Sequence, residues 1–335
     1  MKSFRGILLV IPGLIILWGC FITKKVKMAS LEIYQESFKE IVNGNLNVEI
    51  IGEGYKWSEG PLWVESEKML LFSDVPGNVV YKWTAAGGTV PYLSPSGYTG
   101  TKERPGEVGS NGLALNADGK LVLAQHGDRR IALMDGPVHT GFPSFISLAD
   151  RYQGKRFNSP NDLCIASDGT IYFTDPPYGL PQQEKDPSKE LPFQGVFKIV
   201  PGEKPELMTD GLSRPNGIAL TPDERQVIVS NSDPDNAAWY IYDLDENKNF
   251  INGRLLLNVT DSLHHGPGLP DGLKIDSKGN IFATGPGGIW IMNLNGEVLG
   301  KIKIQSTASN CALSGDEKTL FVTADKYVLK LKIKN

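Results

Sequence analysis

Six oxygen- or amide-bearing side chains recur at one place in a repeating pattern: Glu59, Asn111, Asn161, Asn216, Asp271 and Asn310. Each opens a short, mostly apolar run, such as Gly-Pro-Leu-Trp-Val after Glu59, Gly-Ile-Ala-Leu after Asn216 or Gly-Leu-Lys-Ile after Asp271. Carboxylate and carboxamide oxygens are hard donors that suit calcium, magnesium or manganese. Carboxylates brought together repel unless a cation neutralises them. Asn-Gly and Asp-Gly also form turns, and any one of them alone reads as a turn. Turns do not require an oxygen donor at the same place in all six repeats. The set therefore predicts a ring that binds one divalent cation, calcium first, with magnesium or manganese as alternatives. Zinc prefers His and Cys ligands. The four histidines show no ligand spacing, although His264 and His265 lie near Asp271 in sequence, so zinc stays open as a weaker alternative.

The elements that must position these groups follow from the repeat. The intervals between successive ring residues are 52, 50, 55, 55 and 39 residues, and a period near 50 is that of a propeller blade. In each repeat the apolar run leads into a polar turn, such as Asp118-Gly119 or Asp168-Gly169, and then into a second, very apolar strand. That pair reads as a β-hairpin. A third strand and a more polar fourth strand follow. The last repeat lacks a fourth strand, and a spare strand, Val48–Ile51, precedes the first. The expected fold is all-β, a six-bladed β-propeller closed by an N-terminal strand that completes the last blade and removes the exposed edges. First strands line the channel of such a ring, so the six residues converge at one mouth. The same face takes Asp74, His126, Asp175, Tyr178, Arg214, Asp233, His264 and His265, together with two long loops, 94–110 and 176–194.

At these residues the chain resembles the gluconolactonase/regucalcin (SMP-30) family. The matching stretches are Trp57-Ser-Glu-Gly-Pro-Leu-Trp, Gln125-His-Gly-Asp-Arg-Arg, Gly154-Lys-Arg-Phe-Asn-Ser-Pro-Asn-Asp, Phe173-Thr-Asp-Pro-Pro-Tyr-Gly, Arg214-Pro-Asn-Gly-Ile-Ala and Pro270-Asp-Gly. The resemblance implies a calcium-dependent six-bladed propeller in which Glu59, Asn216 and Asp271 are metal ligands. It makes Asn161 a ligand or a substrate contact, and Asp271 the general base. Asn111, His126 and Tyr178 become substrate-binding positions at the mouth. A substrate arginine that closely precedes the asparagine in regucalcins has no clear counterpart, because Arg156 stands five residues before Asn161.

The expected chemistry is hydrolysis of a sugar lactone such as gluconolactone: the cation polarises the carbonyl and Asp271 activates a water. A carboxylate that also ligates a metal is a weak base, so His126 or His264 is the alternative base, and direct attack by Asp271 is a third route. No Gly-x-Ser-x-Gly elbow is present. Rival functions are a promiscuous lactonase or phosphotriesterase and a non-catalytic ligand-binding propeller.

The 335 residues carry a net charge of −4 and no basic stretch able to neutralise a run of phosphates, which argues against a nucleic-acid partner. Cys164 and Cys311 sit in strand-like runs as small hydrophobes. Lys2 and Arg5 precede an apolar stretch, Ile7 to Ile22, which contains Leu17-Trp-Gly-Cys20. This resembles a lipoprotein signal over residues 1–20 with Cys20 lipidated, leading to an exported protein anchored in a membrane. An uncleaved anchor, an ordinary signal peptide, or a start at Met28 are the alternatives. Residues 21–45 read as a polar tether and 46–335 as the propeller.

Overall fold

The computed structural model describes residues 28–334. The expected signal segment and Cys20 lie outside the described residues. Two elements precede the repeats, a strand β1 (Ala29–Ile33) and a one-turn helix α1 (Phe38–Ile41), followed by β2 (Asn47–Glu53). The rest forms six four-stranded antiparallel blades in chain order. In blade 1 the strands are Ser58–Val64, Met69–Asp74, Val79–Thr84 and Gly88–Leu93. Blades 2, 3, 4 and 5 begin at Ser110, Leu163, Pro215 and Leu273. Blade 6 takes three strands from the C-terminus, Ala308–Leu313, Thr319–Ala324 and Tyr327–Lys332, and its fourth from β2. The register runs from Asn47 opposite Lys332 to Glu53 opposite Tyr327, so the spare N-terminal strand closes the ring.

The second strands are continuous apolar runs because neighbouring blades cover both of their faces. All six residues of Met69–Asp74 and all five of Ile281–Gly285 are buried. Each junction between blades has its own apolar cluster. The sixth decides closure: Leu70 and Phe72 of blade 1 pack with Ala312, Phe321 and Val328 of blade 6. Trp63 stacks on Phe321 there with ring centroids 5.1 Å apart.

The expected tether is corrected over residues 28–45, which belong to the fold. β1 adds a fifth strand to blade 5, from Ala29 opposite Ile304 to Ile33 opposite Gly300. Phe38 is fully buried and joins Ile41 and Val42 in the cluster between blades 5 and 6. A polar stretch can still be anchored by a few apolar residues when these fill a gap that two blades leave open. Gly300 allows this, since a Cβ there would lie 2.5 Å from the Phe38 ring.

Candidate functional site: a polar ring at the channel mouth

The first strands converge on the channel axis and crowd one another. A Cβ on Gly217 would sit 2.2 Å from the Asp271 carbonyl oxygen, and one on Gly60 would sit 1.9 Å from that of Asn111. The glycine that follows most ring residues therefore serves close approach between blades, and Gly60 in addition takes a left-handed φ of 52°. Backbone bonds then lock the ring: Gly112 N–H donates to the Asn161 carbonyl at 2.7 Å, and Gly272 N–H to that of Ser309 at 2.8 Å.

All six predicted residues meet. Asn111 Nδ2 donates to Asn161 Oδ1 at 2.8 Å, Asn161 Nδ2 to Asn216 Oδ1 at 2.5 Å, and Asn216 Nδ2 to Ser232 Oγ at 3.0 Å. Across the ring, Asn310 Nδ2 (3.2 Å) and Gly60 N–H (2.7 Å) both donate to Glu59 Oε2. Asn310 thus serves as a brace for Glu59. Two buried oxygens of the ring, Asp271 Oδ1 and Asn111 Oδ1, have no partner. An orphaned buried acceptor is costly, and both residues line a cavity of about 330 Å³. Its wall comprises Trp57, Glu107, Tyr178, Ser232, Leu269 and Thr307, along with five of the six ring residues.

The electrostatics follow from burial. Glu59 is pushed up to about 8, mainly by desolvation with the Asp162 charge adding to it. Asp271 is raised well above the usual carboxylate range by desolvation and then by Glu59. Half-buried Glu107 is pushed up to about 7 by desolvation. Below the ring, blade 3 carries Asp162 where four other blades have glycine. It is 3% exposed and its Oδ2 has no partner. Lys274 supplies positive charge there, donating from Nζ to the Leu273 carbonyl at 3.0 Å and approaching Asn310 Oδ1 at 3.5 Å.

The substrate-side expectations separate. Asn111, Asn161 and Tyr178 line the cavity. His126 does not, standing one layer behind: its Nε2 lies 2.9 Å from Asn161 Oδ1, and burial lowers its pKa to about 4. Held against Asn161 Oδ1 it orients that side chain, and burial disfavours its protonated form. His264 lies in the 3₁₀ turn Thr260–His265, away from the cavity wall. Asp74 and Asp175 are staples: the first accepts from Lys56 and Trp57 N–H (3.1 and 3.2 Å), the second from Asn158 and Ser159 N–H (2.7 and 2.8 Å). Arg214 pairs with Glu184 at 3.1 Å, and Arg156 Nη2 donates to the Asp128 carbonyl at 2.7 Å. Trp57, Glu107, Ser232 and Thr307 were not singled out from sequence. Trp57 and Glu107 could have been, since one sits two residues before Glu59 and the other lies in the long 94–110 loop.

Among the described residues, no group of three or more His, Cys, Asp or Glu side chains gathers as a metal cluster. The donors that do converge are two carboxylates among carboxamides. They fit a hard cation: their oxygens are desolvated, two have no hydrogen-bond donor, and both carboxylates are short of compensating charge.

Comparison with known proteins places this geometry. The SMP-30/Gluconolactonase/LRE-like region model matches residues 57–326. The chain belongs to that family. A gluconolactonase of Zymomonas mobilis is 42% identical over 302 residues, covering 88% of this chain and 83% of that one. The regucalcin of Xenopus laevis is 27% identical over 281 residues, covering 82% and 85% of the two chains. The solved gluconolactonase of Xanthomonas campestris superposes with a TM-score of 0.78 at 30% identity, covering 91% of this chain and 95% of its own.

Proposed function

We propose that the protein is a divalent-cation-dependent hydrolase of small sugar lactones, with calcium as the cation and Glu59, Asn161, Asn216 and Asp271 as its holders. The observation that carries this is the pair of orphaned buried oxygens, Asp271 Oδ1 and Asn111 Oδ1, at the base of a cavity walled by hydrogen-bonding side chains. The gluconolactonase relatives supply the substrate class.

A bound divalent cation would supply Lewis-acid polarisation of the lactone carbonyl and neutralise the carboxylates. The chain's own residues do the rest. Asp271 is held by its backbone, its N–H donating to the Thr284 carbonyl at 3.2 Å and its carbonyl accepting from Ser230 Oγ at 2.6 Å. Its free oxygen is the acceptor for a proton from the attacking water. Glu107 stands on the wall with a pKa near 7, matched to returning a proton to the departing alkoxide. Tyr178 stays protonated because burial pushes its phenol up. With the Asn111 amide it offers donors to sugar hydroxyls. Trp57 and Leu269 give the ring carbons an apolar wall.

The test is hydrolysis of glucono-δ-lactone, corrected for spontaneous opening, by chelator-treated protein with calcium, magnesium, manganese and zinc restored in turn. Turnover that returns with a cation supports the proposal. A folded, cation-loaded protein that opens neither this lactone nor other lactones points to a non-catalytic sugar-binding propeller.

A further inference from the structure

We infer that the face bearing the channel mouth lies against a lipid bilayer. The chain enters the fold at that face, whatever the chemistry at the ring.

First strands descend from the mouth, so second strands end there, third strands descend again, and fourth strands return to it. In blade 5 the fourth strand, Val298–Ile304, therefore ends on the mouth face. β1 is antiparallel to it, with Ala29 opposite Ile304 and Ile33 opposite Gly300. The start of β1 is thus at the mouth face and its end at the far face. Local bonds agree. Gln305 N–H donates to the Met28 carbonyl at 3.1 Å, and Ile304 N–H to the Gly287 carbonyl at 3.0 Å. Gly287 N–H in turn donates to the Pro267 carbonyl at 2.9 Å, next to Gly268 and Leu269 of the cavity wall. Thr307, two residues after Gln305, also lines that wall.

What precedes Met28 in sequence is short and suited to a membrane. The apolar run ends at Ile22, and Thr23-Lys24-Lys25-Val26-Lys27 follows. Three lysines beside an apolar run are drawn to anionic headgroups. From Cys20, the residue that the lipoprotein reading puts in the membrane, to Ala29 is nine residue steps, which reach at most ~32 Å when fully stretched and only about 17 Å when relaxed. The seven-residue strand Val298–Ile304 alone spans ~23 Å between the two faces. A leash of that length, fixed at the rim of the mouth face, holds that face toward the bilayer and leaves the far face pointing away. Solutes then reach the ring through a narrow gap, which admits a free sugar lactone and disfavours a bulky polymer.

The experiment uses the full chain reconstituted into vesicles of phosphatidylcholine and phosphatidylglycerol that carry a headgroup nitroxide. Two lysines of blade 6 report the two faces: Lys326 in the turn at the mouth and Lys318 in the turn at the far end. K326C and K318C are each labelled with a fluorophore, against a parent-chain control for labelling at native cysteines. The expected result is co-flotation with the vesicles and quenching several-fold stronger at position 326 than at 318. Equal quenching, stronger quenching at 318, or failure to float with the vesicles would overturn the inference.

Discussion

Glu59→Gln makes the sharpest test of the ring, because it separates holding a cation from holding the fold. Glu59 Oε2 accepts from Gly60 N–H and Asn310 Nδ2, and the amide oxygen of a glutamine can take both bonds. What changes is the proton. In the cation-free protein Glu59 is raised from 4.5 to about 8 by burial. The folded state then binds that proton more tightly than the unfolded chain. The resulting stability is complete below about pH 4.5 and is lost as pH rises toward 8. At about 1.4 kcal/mol per pH unit the loss reaches about 5 kcal/mol, an upper figure because Asp271 shares the same charge field. The substituted amide carries no such proton. In chelator at pH 8.5 the variant should therefore unfold at a temperature higher than the parent by up to ~10 °C. Added calcium should raise the parent's midpoint, by about 2.7 kcal/mol at a hundredfold excess over its dissociation constant, and leave the variant nearly unmoved. Differential scanning calorimetry at pH 5 and pH 8.5, with chelator or calcium, reads all four states. A variant less stable than the parent in chelator at pH 8.5 would refute the claim that Glu59 is an uncompensated buried carboxylate.

Asp271→Asn should cut kcat for the lactone by about 10³-fold and weaken calcium binding in calorimetry, while circular dichroism stays that of the parent. Glu107→Gln should retain calcium affinity yet lower kcat by about 10²-fold, and should erase a limb of the pH–rate profile near pH 7. Lys274→Met removes the positive charge beneath the ring, so calcium should bind about tenfold more tightly while the cation-free fold loses about 2–3 kcal/mol in urea unfolding. Phe38→Ala should cost about 3 kcal/mol by the same method, because it empties a fully buried site between blades 5 and 6.

The architecture was legible because a propeller repeats its signals. The ring residues, the apolar second strands and the mismatch between a spare first strand and a missing last one all specify the same closed fold. The ring itself was legible for the same reason, since Glu59 and Asp271 break a series of asparagines at one register. Two things were not. Asp74 and Asp175 look as chemical as Asp271 in sequence, and only the backbone N–H groups they accept reveal them as staples. Asn231 does the same in blade 4, its Oδ1 accepting from Arg214 N–H at 2.8 Å. Glu107 was missed for the opposite reason. It stands outside the repeat, in the 94–110 loop, whose path across the mouth leaves no period to read, whereas Trp57 adjoins the first strand of blade 1 at Ser58 and was within reach of the repeat. The first strand β1 was hidden by its place ahead of the repeats, where Ala29, Leu31 and Ile33 alternate with Ser30 and Glu32 over only five residues.

β1 and β2 form two clasps in series, and their order has a mechanical meaning. A pull on the chain ahead of Met28 reaches β1 first, where five paired residues and the Phe38 plug carry the load. The strand that shuts the ring lies downstream, paired from Asn47 to Glu53. Tension can therefore peel β1 from the outside of blade 5 while the six blades remain closed and the ring of oxygens undisturbed. The first clasp acts as a strain relief for the second.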